Sequence, residues 1–136
     1  MNARPKAEKL KSSAGRVPPH DLDAEQVVMG ECLMSPAGFD EVGDILKPEH
    51  FFNDAHTVLF AVMVELAGEG VTIEYPTIAA RLRDRDQMQR VGGAGYIGQI
   101  VHDVRAVADV RPYAERIRTL WQVRQTINAA RRIASE

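Results

Sequence analysis

Apolar side chains recur with a helical period along most of the chain, and no stretch alternates apolar and polar as a strand would. Between Leu22 and Met34 the positions Leu22, Val27, Val28, Met29, Cys32, Leu33 and Met34 point nearly all round at 100° per residue. A helix without a wide polar face is predicted to be central and wrapped by others. Asp21 is placed to cap it, with Asp23 and Glu25 in the first turn, where the helix dipole favours anions. Gly30 inside it costs about 1 kcal/mol against alanine, and close approach of another helix accounts for it. Pro36 opens a second helix reaching Leu46. The run "KPEHFFND" turns the chain, with Phe51 and Phe52 expected in the core and Asp54 expected to cap a third helix. In that helix Ala55, Leu59, Val62 and Leu66 form a stripe, and Gly68 and Gly70 end it. Glu74 and Pro76 open a fourth helix. Gly92-Gly93 closes that unit, and a fifth helix runs from about Ala94 to Val104.

The last segment is longer. With Asp109 as its expected cap and Pro112 in its first turn, Val110 to Ser135 has no glycine and no later proline. Such a helix spans about 39 Å, long for a domain of this size. Tyr113, Ile117, Leu120, Val123, Ile127, Ala130 and Ala134 form its apolar stripe, while Trp121 and Ile133 lie outside it. Its distal half is expected to project from the head and to need a partner helix. The chain stops before this helix turns back, which reads as a piece of a longer protein. The predicted fold is all-α: a compact head of five or six helices (20–108), then a long C-terminal helix (109–136) that forms one arm of a hairpin. Residues 1–19 read as a disordered basic leader.

Charge is divided unevenly. Residues 1–16 carry five basic side chains against Glu8, residues 17–109 carry a net −10, and residues 110–136 a net +4. The middle repels a phosphate backbone, so only the ends could attract one. One cysteine, Cys32, leaves no internal disulfide. No apolar run approaches the ~20 residues of a membrane span, the leader lacks the apolar core of a secretory signal, and a cytoplasmic protein is expected.

Gly93, Gly95 and Gly98 spell G-x-G-x-x-G. A dinucleotide site needs a buried strand before that motif and an acidic residue after a second strand. Here a polar helix precedes it and a long helix follows, so a tight helix connection is expected and no cofactor. The four histidines and Cys32 show no metal-ligand spacing. His50 and His56 are expected to hydrogen-bond locally, and Cys32 to be a small buried apolar residue. No catalytic constellation appears. A helix-turn-helix-like DNA-binding module is the alternative, with Arg81, Arg83 and Arg85 as its candidate readers, weakened by Asp84, Asp86 and the acidic head. A helix-mediated assembly module explains more, because exposed apolar area on a helix marks an interface.

Four collinear motifs resemble a known family. "PPHDLDAEQVVMGECLM", "FFNDAHTVLFAVMVEL", "VGGAGYIGQI" and "YAERIRTLWQVRQTI" are similar to the N-terminal domain of DnaB-type bacterial replicative helicases over about residues 18–135. "HDVRAVAD" departs from the family's pattern before the long helix, keeping only Ala108 and Asp109. The resemblance implies a non-catalytic domain with no cofactor, whose double glycine joins two helices. It implies a parent whose missing motor domain uses ATP and magnesium, moves on DNA and works at replication forks in the nucleoid. It also implies a collar of N-terminal domains on a hexamer, and docking of the primase C-terminal domain. By motif position the primase-facing residues are Tyr96, Ile127 and Ile133, and self-pairing uses Leu120, Trp121 and Arg124.

Overall fold

The computed structural model describes residues 17–136, and residues 1–16 of the leader expected over residues 1–19 lie outside the described residues. Helix α1 (Leu22–Met34) starts where the Asp21 carboxylate accepts the Ala24 N–H. Seven of its residues are buried on several faces, and it packs against four other helices. Ser35 both ends α1 and starts α2 (Pro36–Gly43). Its N–H donates to the Glu31 carbonyl and its hydroxyl accepts from Gly38. Helix α2 is shorter than the expected run to Leu46, although Leu46 remains buried.

A single 3-10 turn (Pro48–His50) leads to α3 (Asp54–Gly68). The cap of α3 is Asn53, whose side-chain oxygen accepts the Ala55 and His56 N–H groups. This corrects the expectation for Asp54, which instead pairs with Arg90. Helix α3 ends at a left-handed Gly70, with the Val71 N–H returning to the Leu66 carbonyl. Helix α4 (Tyr75–Asp84) lies on α3. Its first turn is tied by the Thr77 hydroxyl, which accepts the Glu74 N–H, rather than by the Glu74 side chain.

The segment from α4 to α5 (Gly93–His102) is a run of turns, with no strand leading into Gly93. Helix α4 is closed by Asp86 at φ 55°, not by the double glycine. The Gln87 N–H returns to Leu82 and the Asp86 N–H to Arg83. Gly92 and Gly93, at φ 92° and 78°, form the tight start of α5. Helix α5 packs on α1, and the close neighbour at Gly30 is Val104 in the following loop, not another helix.

Helix α6 (Arg111–Ser135) has 25 residues, about 37 Å. Pro112 occupies its first turn, and Asp109 accepts the Arg111 N–H from outside the helix. The base of α6 packs on α1, α2 and the 3-10 turn, burying Ala114, Ile117 and Arg124. Beyond Arg124 only Ile127 and Ala129 are half-buried, and residues 130–136 are exposed. The described residues thus form an all-helical head and a rod that leaves it. No described helix is long and apolar enough to cross a membrane.

Candidate functional site

Two surfaces hold the residues singled out by sequence. On the head, Tyr96 stands on the first turn of α5. Its approach depends on Gly92, because a Cβ there would lie 2.9 Å from the Tyr96 Cβ. Half-buried, Tyr96 lines a groove of about 330 Å³ between α1 and α5, with Asp23, Gln26, Gln99 and Ile100. Its ring stacks on His56 with centroids 5.9 Å apart, and its hydroxyl lies 2.7 Å from His56 Nε2.

His56 has no exposed surface and continues inward. Its Nδ1 lies 2.8 Å from Glu25 Oε1. The Glu25 carboxylate also accepts the Phe52 N–H at 2.7 Å and the Asn53 N–H at 3.2 Å. Since the carboxylate only accepts, Nδ1 donates, and in the neutral ring Nε2 accepts the Tyr96 hydroxyl proton. A polar chain therefore runs from the core to the groove, with every buried side-chain polar atom among the described residues partnered. The local partner expected for His56 is replaced by two residues 31 and 40 positions away. His50 does bond locally, through Nδ1 accepting the Lys47 N–H. Glu25 was readable only as a helix-dipole charge, yet it shares the buried face of Val28, Met29 and Cys32 at i+3, i+4 and i+7.

The second surface is the rod. Leu120 and Trp121 are half-buried at its base, with the Trp121 ring 4.6 Å from the His50 ring. Arg124 turns inward. It is 9% exposed and donates to the carbonyls of Pro19 and His50, each at 2.9 Å. Its guanidinium lies 5.4 Å from the centre of the Phe52 ring, whose other partner is His20, stacked at 4.0 Å. Arg124 is thus engaged within its own chain. One expectation changes here: Phe52 is half-buried beneath Arg124 rather than in the core, although Phe51 is buried. Pro19, at the end of the expected leader, is held by Arg124. Ile127 is half-buried, in a small cleft with Val17, Pro18 and Pro19, and Ile133 is 73% exposed. Tyr96 and Ile127 line separate grooves.

The arginines of the DNA-binding alternative face another way. Arg81 bridges Glu65 of α3 and Glu69 at its C-terminal cap, and Arg85 pairs with Glu65. Those bonds hold both guanidiniums firmly charged and the carboxylates below their ordinary range. Their charge is answered within the fold, which leaves exposed Arg83 as the one reader without a carboxylate partner among the described residues.

Residues 17–119 match the family model of the DnaB-like helicase N terminal domain. The replicative DNA helicase DnaB of Geobacillus stearothermophilus is 31% identical over 121 residues, 89% of this chain and 27% of that protein. The replicative DNA helicase DnaB of Pasteurella multocida (strain Pm70) is 32% identical over 120 residues, 88% of this chain and 26% of that protein. The chain thus spans about a quarter of the length of these curated relatives. The crystal structure of the N-terminal domain of DnaB helicase from Mycobacterium tuberculosis aligns with a TM-score of 0.82 at 31% identity, over 88% of this chain and 83% of that one. A structure of a DnaB-like replicative helicase, described with its interactions with primase, aligns with a TM-score of 0.71 at 26% identity, over 85% and 27%.

Proposed function

The chain belongs to the DnaB-like helicase N-terminal domain family, and from that premise we propose that it works by protein–protein contact, building a collar with its own kind and docking primase. The observation that carries this reading is Ile133. It is the most exposed large apolar side chain among the described residues, on a helix whose base is bound into the head. A side chain of that size left in water at the end of a rod suits an interface. Ile127 and Tyr96 complete the primase-facing set, and Leu120, Trp121 and Arg124 mark the pairing stretch, where Val123 is exposed.

The parent protein would unwind DNA through a motor domain that holds ATP and magnesium. In this reading DNA meets the motor and not this head, and the work is done in the cytoplasm at replication forks. The test is calorimetric titration with the C-terminal domain of the cognate primase. We expect Ile133→Asp to weaken binding at least about tenfold, the effect of losing roughly 1.4 kcal/mol at an interface hot spot. Equal affinity would remove Ile133 from the docking surface, and no binding by the unaltered chain would remove primase as the partner.

A further inference from the structure

Arg124 is the last fully anchored residue of the rod. Buried Ala114 and Ile117 precede it, and no buried residue follows it. Its two hydrogen bonds reach segments far away in sequence, Pro19 at 105 residues and His50 at 74. Neither acceptor is a side chain, so the guanidinium holds backbone to backbone. One nitrogen takes the segment that enters α1 and the other takes the 3-10 turn that precedes α3. Phe52 forms the floor of this clasp, with His20 stacked against it and Trp121 against His50. A planar fork with fixed donors suits two carbonyls at fixed positions, whereas an ammonium on a flexible stem does not.

We propose that Arg124 is the positioning residue that fixes the angle at which the long helix leaves the head, by clasping the Pro19 and His50 carbonyls together. The leverage is large. Residues 125–135 form a free arm of about 16 Å, and moving the last anchor back to Ile117 lengthens it to about 27 Å. The same angular freedom then displaces the tip about 1.6 times as far. Because Ile127 and Ile133 of the proposed docking set sit on this arm, the clasp sets where they are presented. That bearing on assembly rests on the function proposed above, while the clasp itself does not.

The experiment measures distances between spin labels on the chain, diluted with unlabelled protein so that only intramolecular distances are read. One label replaces Arg83 on the head and the other Arg132 on the rod, both exposed. Cys32 stays in place, since it is buried and burial pushes its thiol pKa up. A control pair at Asp44 and Arg83 lies within the head. We expect a narrow head-to-rod distribution in the parent. Arg124→Ala and Arg124→Lys should both broaden it at least about 1.6-fold, while the control pair stays narrow. Arg124→Lys keeps charge and stem, so it decides the matter if the alanine variant does not fold. A head-to-rod distribution in Arg124→Lys that superimposes on the parent would overturn the proposal. So would equal broadening of the control pair, which would mean general loosening. Loss of primase binding with an unchanged distribution would leave the docking function standing and sink the clasp.

Discussion

Glu25 holds three donors at once, and that sets what its removal does. In Glu25→Ala the part-buried N–H groups of Phe52 and Asn53 and the buried Nδ1–H of His56 lose their acceptor. Leaving a buried donor unpaired costs about 1–3 kcal/mol, and hydrogen bonds to charged groups lie at the upper end. We expect Glu25→Ala to destabilise the chain by at least about 3 kcal/mol in urea unfolding, with Glu25→Gln in between because one amide oxygen still accepts. His50 supplies a second test at this scale. Burial is the main reason its pKa sits below the ordinary histidine value of 6.5; Glu49 opposes the shift, while Arg118, Lys47 and Arg124 add to it. The unfolded chain therefore binds the proton first as pH falls. The stability carried by the neutral ring is full above pH 6.5 and is lost as pH drops through the lower folded value. Trp121, the only tryptophan of the chain, stands against this ring and reports it. We expect its fluorescence to change with a midpoint below pH 6.5, and to lose that transition in His50→Asn.

Among the elements, what sequence could reveal follows from what is local. Helical period, caps and breakers act within a few residues, so the order of helices and the length of the rod were legible. So was the glycine motif as a helix junction, because left-handed backbone at Gly92 and Gly93 is a local demand. One misplaced cap had a near-equivalent neighbour. Asn53 and Asp54 can both cap, and the backbone chose the one whose oxygen reached Ala55 and His56. Tertiary partners left no such trace. Glu25 resembles any first-turn acid, and Arg124 resembles any rod arginine, until their distant acceptors and donors are known. Gly30 shows how one such partner changes a prediction. Alanine there would gain about 1 kcal/mol of helix propensity, but its Cβ would lie 2.7 Å from Val104 Cγ2. A valine side chain is stiff and cannot swing aside at no cost. We expect Gly30→Ala alone to destabilise, and its cost to shrink in the background of Val104→Ala, which removes the Cγ2 contact and leaves only the Val104 Cβ at 3.2 Å. Thermal melts of the four proteins in the cycle measure this coupling.

At the scale of the molecule, the rod divides into a part that serves the fold and a part that does not. Up to Arg124 its inward side chains close the core and the clasp. From residue 130 onward every position is exposed. Substitutions at such positions change stability by less than about 0.5 kcal/mol. The same Ile133→Asp change that tests docking is therefore expected to leave the urea midpoint of the isolated chain unmoved. An aspartate would remove exposed apolar area, so stability alone gives no reason for isoleucine at this place. If Ile133→Asp instead lowers stability by more than about 1 kcal/mol, the tip packs on its own head in solution. The rod would then not be extended, and its loss of primase binding could be read as unfolding. Unchanged stability with lost binding separates the two roles along a single helix: its base holds the chain together, and its tip is kept apolar for another protein.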